Sequence, residues 1–346
     1  MGFDSWINRS HIKQMKKVMV LGQQGEPNFL FNIEGPWKKF KDVLIREGLE
    51  IYDTDCDDKF DILIANYHSK KYSEIADSLL IDVKMRILIL WEPYVVDSNR
   101  YRPEVLKKYG FIYAPSTHWA EKTNAVPFKW PQDVIMEENV WLNWKFRKKR
   151  FVIIQGNKFS ACKGELYSLR RRIISNSKLV DLFGTNWNKG IRFDLFHWFS
   201  SFLNNSLDNI SFRSLYNLGK KYKNYLGAVD NKSEIMRTYQ ISIVIENSAD
   251  FISEKLFDSV RSGCVTIYVG PDLVKYGIPK EAALQVRPDY KELRILMKKL
   301  SKMSDEELLK TAKTQRTSLS RVAPDWENNI VFRDLAKSIL LDLNIV

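Results

Sequence analysis

The sequence predicts an α/β protein made of two Rossmann-like domains facing across a cleft. Three observations carry that expectation. Short, β-branched apolar runs alternate with amphipathic stretches in both halves of the chain. A charged segment, Lys145 to Arg150, separates the halves. Between Tyr239 and Asp272 the chain spells out a complete βαβ unit. Its strand, Ile241 to Ile245, ends in the polar break E-N-S-A-D. A helix capped by Ser253, with Glu254 in its first turn, then runs to about Arg261 and stops at Ser262-Gly263. The second strand, Cys264 to Val269, closes on Gly270-Pro271. The polar residues collect where strand gives way to helix, the place where open α/β sheets hold ligands.

In the first half, residues 18–21 form a strand followed by Gly22 and Gly25, which read better as a plain turn than as a phosphate loop. Trp37 to Glu47 is an amphipathic helix with Trp37, Phe40, Val43 and Leu44 inward. A strand at 49–52 leads to D-T-D-C-D-D at 53–58. That run has the look of an acidic metal motif, but its place between two strands makes it a solvated loop. Phe60 to Ala65 is the next strand. Ile87 to Trp91 follows and delivers Glu92 at its end, where Pro93 forbids continuation. Phe111 to Ala114 leads to Ser116-Thr117-His118, with His118 a hydrogen-bonding candidate. V-P-F-K-W-P at 126–131 begins an irregular crossing. The expected domains are 1–149 and 150–325, with 326–346 a final amphipathic helix whose packing, on the first domain or elsewhere, the sequence leaves open.

The second half opens on the strand Phe151 to Gln155. A helix over 164–178 turns Leu166, Leu169, Ile173 and Ile174 inward and carries the triplet Arg170 to Arg172. Val180 to Gly184 is a strand and turn. From Asn186 to Lys223 no period emerges. This is either an insertion exposing Phe196, Trp198, Phe199 and Phe202 or an ordinary packed helix pair. After Pro271 come a turn at Gly277-Ile278-Pro279, a strand at Ala283 to Val286 and a helix over 290–302. Ser304 to Glu307 is a capping box opening another helix.

With 346 residues, 45% of them hydrophobic, the chain can bury two cores and is not disordered. Cys56, Cys162 and Cys264 show no pairing or metal spacing, which favours a reducing compartment. The N-terminus lacks an apolar signal core, and no apolar run is long enough to span a bilayer. These features point to a cytoplasmic protein, peripheral to the inner membrane if its formal charge of +12 serves recruitment. Nucleic-acid motifs are not found, so no nucleic-acid partner is expected.

Chemistry centres on the βαβ unit and on Glu92. A helix N-terminus suits a phosphate, and Lys255 in its first turn adds a full charge. Glu246 and Glu254 are acceptors for ligand hydroxyls. A surface helix with a solvated Glu-Lys pair would have the same spacing. Glu92, past an apolar strand and flanked by Trp91 and Tyr94, is a candidate general base with a raised pKa.

The segment E-N-S-A-D-F-I-S-E-K-L-F-D-S-V-R-S-G-C-V-T-I-Y-V-G resembles the signature of the α1,3/α1,4-fucosyltransferases, E-N-[ST], a spacer, Y-[VI]-T-E-K, a helix, then G-x-[VI]-P-[VI]-Y-x-G. Asn231-Lys232-Ser233 through Tyr239 resembles the N-K-S segment of bacterial members, Val180 to Gly184 resembles V-D-[VL]-[FY]-G, and Tyr225-Leu226-Gly227 resembles Y-x-G. The match covers about forty residues. Phe251 stands for Tyr, Ser253 for Thr and Thr266 for Pro, and the spacer is about two residues short; these departures bear on donor-sugar identity. The resemblance implies the GT-B arrangement, with the acceptor in the first domain and a nucleotide sugar in the second. It implies inverting transfer of L-fucose from GDP-fucose to a glycan, free or lipid-linked, of a bacterial surface polysaccharide or lipopolysaccharide. Glu92 would be the base. Arg170, or its neighbour Arg171, and Lys255 would meet the diphosphate, while Asn247, Phe251, Glu254 and, partly structurally, Glu246 would position the donor. No cofactor or essential metal is implied. Two alternatives stand beside this: the same fold with another nucleotide sugar, and a non-catalytic basic binding protein.

Overall fold

The structure is a computed structural model and describes residues 16–22, 36–52, 59–205, 209–215 and 218–345. The glycine pair at 22 and 25, the acidic run at 53–58 and Cys56 therefore fall wholly or partly outside the described residues.

Two parallel sheets organise the chain. The first contains β1 (Lys16–Leu21), β2 (Leu49–Tyr52), β3 (Ile62–Ala65), β4 (Arg86–Ile89), β5 (Phe111–Ala114) and β6 (Val126–Pro127), in the order β2-β1-β3-β4-β5-β6. The second contains β7 (Lys148–Ile154), β8 (Val180–Phe183), β9 (Tyr239–Ile245), β10 (Val265–Val269) and β11 (Leu284–Gln285), in the order β11-β10-β9-β7-β8. Every strand pairing in both sheets is parallel. Parallel strands are buried on both faces, which is why these runs read as continuous apolar segments without alternation. β3, β4, β8, β9 and β10 are buried at every position.

Helices fill the crossovers. In the first domain these are α1 (Pro36–Arg46), α2 (Lys70–Ser78), α3 (Pro103–Leu106) and α4 (Thr117–Thr123). In the second they are α5 (Tyr167–Ser175), α6 (Ile191–Leu203), α7 (Lys232–Met236) and α8 (Glu254–Arg261), while α9 (Tyr290–Leu300) and α10 (Asp305–Ser320) follow the last strand. The Ser304–Glu307 capping box forms with both of its hydrogen bonds. Gly184, with φ +126°, ends β8 so close to β7 that a Cβ there would lie 2.2 Å from the Gln155 carbonyl oxygen.

The last helix, α11 (Asn328–Asp342), lies against the first sheet. Phe332, Leu335, Ala336, Ile339 and Leu340 share a core with Val18, Phe40, Ile62 and Trp91. The chain thus crosses between domains twice, and the crossings are tied together: Gln132 N–H donates to the Trp326 carbonyl at 2.7 Å and Asn328 N–H to the Gln132 carbonyl at 3.0 Å. The connecting turns at 138–146 already belong to the second domain by packing. Trp144 Nε1 donates to the Gly263 carbonyl at 2.8 Å, and Arg147 to the Ser262 carbonyl at 2.8 Å. Among the described residues no helix is long and apolar enough to cross a membrane.

Candidate active site

In the second sheet the chain moves outward from β7 to β8 and then returns to the other side of β7 for β9. The carboxyl ends of β7 and β9 therefore flank a topological switch point, where the outgoing loops diverge and leave a crevice. A cavity of about 260 Å³ occupies that crevice. Ile154, Gln155, Gly156 and Lys158 line it from the end of β7, and Asn247, Phe251, Ser253, Glu254 and Lys255 from the end of β9 and the start of α8. Arg170 reaches it from α5 and Lys232 from α7, while Glu92 and Trp130 close it from the first domain.

Glu92 is carried past β4 by Leu90 and Trp91, both buried. The Trp91 ring lies 4.3 Å from that of Trp130, which meets Phe251 edge-on at 5.1 Å and 77°. This aromatic file spans the domains directly beside Glu92. Burial raises the Glu92 pKa; Lys158, Arg100 and Lys255 pull it back only in part. Burial likewise lowers the pKa of the Lys158 ammonium, with the Glu92 carboxylate opposing.

Arg170 is 2% exposed and forms the cavity floor. Its guanidinium donates to the carbonyls of Gly156 at 3.1 Å and Ile245 at 2.9 Å and to Asn247 Oδ1 at 3.4 Å, and its Nε has no partner. These acceptors are neutral, and burial pushes the pKa down to about 10, with the nearby Glu246 carboxylate opposing in part. Arg171, one residue on, points elsewhere: it donates to the carbonyls of Lys158 and Ser214, at 2.8 and 2.9 Å.

Six of the seven residues singled out from the sequence line this cavity: Glu92, Arg170, Asn247, Phe251, Glu254 and Lys255. Glu246 does not. Its side chain has no exposed surface, and its carboxylate lies under the start of α8. There it accepts from Ser253 N–H at 3.0 Å, Ser253 Oγ at 2.7 Å and Lys255 Nζ at 3.3 Å. A buried carboxylate is tolerable only with such partners. Glu246 thus takes up part of the anion-attracting capacity that the helix N-terminus would otherwise offer a phosphate. Glu254, half-exposed, meets Lys232 Nζ at 3.2 Å. Burial alone would raise its pKa, but Lys255 and Lys232 outweigh it and hold the carboxyl at about 2.

His118 lies on α4, exposed, and is not among the cavity's lining residues. Trp198 is buried and not a surface aromatic, because its Nε1 donates to Ser214 Oγ at 2.5 Å. Lys158, Lys232 and Trp130 are lining residues to which the sequence reading assigned no role. A basic residue three positions past a strand was the available signal for Lys158, but only the strand order makes the end of β7 a switch point. Among the described residues no group of three or more His, Cys, Asp or Glu side chains is placed to hold a metal ion.

Three contacts join the domains across the cleft. Ser116 Oγ donates to Asp250 Oδ2 at 2.9 Å, Asn209 donates to the Tyr94 hydroxyl at 3.2 Å, and Val95 packs with Cys162 and Tyr167.

No family model matches the chain, and no curated protein matches its sequence. Solved structures do. Anabaena Alr3699/HepE, in complex with UDP-glucose, superposes with a TM-score of 0.54 at 9% identity over 94% of this chain and 99% of that one. An α1,3-fucosyltransferase superposes with a TM-score of 0.54 at 13% identity over 98% and 93%. Trehalose-6-phosphate synthase, from work on glycosyl transfer with retention, superposes with a TM-score of 0.52 at 10% identity over 82% and 74%. The fold is GT-B. At these identities the likeness concerns the arrangement of the two domains, which agrees with the architecture expected from the sequence.

Proposed function

We propose that the chain is a glycosyltransferase that moves L-fucose from GDP-fucose to a hydroxyl of a glycan acceptor by single displacement with inversion. The observation that supports it best is the shared cavity: one carboxylate of raised pKa from the first domain faces Lys158, Arg170, Lys232 and Lys255 from the second. In this scheme Glu92 accepts the proton of the acceptor hydroxyl as that oxygen bonds to the anomeric carbon. The bond from that carbon to the diphosphate oxygen breaks, and GDP leaves with the electron pair. Arg170, Lys158, Lys255 and Lys232 stabilise the charge gathering on the diphosphate, fixed cations doing what a resident metal does elsewhere. Asn247 and Glu254 hold donor hydroxyls, and Phe251 packs against the donor. The acceptor is a glycan of a bacterial surface polysaccharide or lipopolysaccharide.

The test is GDP release from GDP-fucose with a mixed glycan pool, comparing the parent chain with Glu92→Gln. The variant should lose at least about a hundredfold in turnover while calorimetry shows GDP binding unchanged. Loss of GDP binding in the parent would overturn the transferase reading. Lys255→Ala is a poorer probe, because it strips the cationic partner from the buried Glu246 and perturbs folding as well as binding.

A second reading, the same chemistry with a different nucleotide sugar, is favoured by Phe251. It is 2% exposed and edge-on to Trp130, where the signature has a hydroxyl-bearing Tyr. Thermal shifts with a panel of nucleotide sugars separate the two readings by which donor stabilises the protein most.

A further inference from the structure

We propose that the outer face of α6 docks on an anionic lipid bilayer. The helix lies in the long segment between β8 and β9. Inward, Asp194 accepts the Gly219 N–H at 2.8 Å and Trp198 packs with Phe159 and Ala161. Outward, Leu195, Phe196, Phe199 and Leu203 are 43, 71, 55 and 65% exposed. At about 100° per residue they form one continuous arc along the helix. Ile191 extends the arc at its start, and Phe212, 66% exposed, stands beside it.

Cations gather at one end of this ridge. Gly219 is so close to Ile191 that a Cβ there would lie 2.7 Å from the Ile191 Cβ, which puts Lys220 and Lys221 by the first turn of α6. Lys189 and Arg192 are there already, and all four are exposed. None of the four has an ion-pair partner among the described residues. A ridge of Phe and Leu edged by Lys and Arg is the composition of an interfacial helix, with the apolar chains entering the acyl boundary and the cations meeting anionic headgroups. A sugar-binding platform would use flat rings with polar neighbours, whereas Leu195 and Leu203 are aliphatic.

The far edge of the same helix meets the domain cleft. His197, Ser200, Ser201 and Asn204 line a cavity of about 170 Å³ with residues 95–99, a segment that begins three residues after Glu92. Docking through α6 would hold the mouth of the cleft near headgroup level. The proposal goes beyond the transferase reading and stands without it, since vesicle binding needs no turnover.

The experiment is cosedimentation of the full chain with phosphatidylcholine vesicles, with and without phosphatidylglycerol. Binding is expected only to the mixed vesicles. Phe196→Ser/Phe199→Ser and Lys220→Glu/Lys221→Glu should each weaken it by roughly tenfold or more, with circular dichroism and melting temperature unchanged because the replaced side chains are exposed. Equal binding to both vesicle types, binding insensitive to the Phe pair, or no binding would overturn the proposal. A concentration-dependent dimer abolished by the Phe pair, without vesicle binding, would assign the face to self-association instead.

Discussion

Glu92 and Lys158 are shifted by burial in opposite directions, and each partly offsets the other's shift. The sign of the consequence follows. A base must be ionised to work, and burial raises the pH at which Glu92 ionises, so the acid limb of kcat/KM should lie above the ordinary carboxylate range. Lys158 is the foremost influence holding that value down. Lys158→Met should therefore move the acid limb to higher pH and raise KM for the nucleotide sugar. A pH–rate profile that does not move would separate Lys158 from the base. At this scale Glu92 was singled out because an apolar strand ends at it, Lys255 because it falls in the first turn of a helix, and Arg170 only through the resemblance, since a solvated basic face explains a helical arginine triplet equally well. Lys158 was not, because its meaning comes from facing a residue 66 positions away in a different domain.

Ser253 shows what one cap contributes to an element. It is 2% exposed, donates to Glu246 Oε2 and accepts from the Lys255 N–H and ammonium, so it couples the helix start to the buried carboxylate beneath it. Ser253→Ala should cost about 1–2 kcal/mol in denaturant unfolding and weaken nucleotide binding; unchanged stability would mean that the residue-253 N–H and Lys255 satisfy Glu246 without the hydroxyl. The βαβ unit around Ser253 was read to within about two residues, since apolar runs, cap and glycine stop all agree there. Other elements were missed for physical reasons. α2 has no capping side-chain bond at Ser69, and α4 is only seven residues long. α6 is apolar on its buried and exposed sides alike, so its sequence lacks the one-sided pattern that marks a surface helix.

Across the whole molecule, the last helix and the candidate base are linked through one aromatic cluster. Phe332 on α11 lies 4.4 Å from Trp37 and 5.7 Å from Trp91, ring centre to ring centre, and Trp91 adjoins Glu92. Phe332→Ala should destabilise the protein by about 3–5 kcal/mol and reduce turnover more than it reduces GDP binding, because the cations that line the cavity belong to the other domain. A thermal melt with matched GDP titration checks both; equal losses in both quantities would show that the cluster supports the fold alone. The sequence by itself determined the two-domain α/β plan and the strand ends, since burial and backbone hydrogen bonding impose local patterns that survive in one dimension, and it singled out six of the thirteen residues that line the candidate site. Only the tertiary structure decided the strand order that makes β7 and β9 flank the crevice. It also withdrew Glu246 beneath α8, placed Arg170 and not Arg171 on the cavity floor, brought Trp130 onto Phe251 and turned an apolar ridge of α6 outward. Each of these depends on which distant segment occupies the neighbouring space, and that is settled by packing between elements.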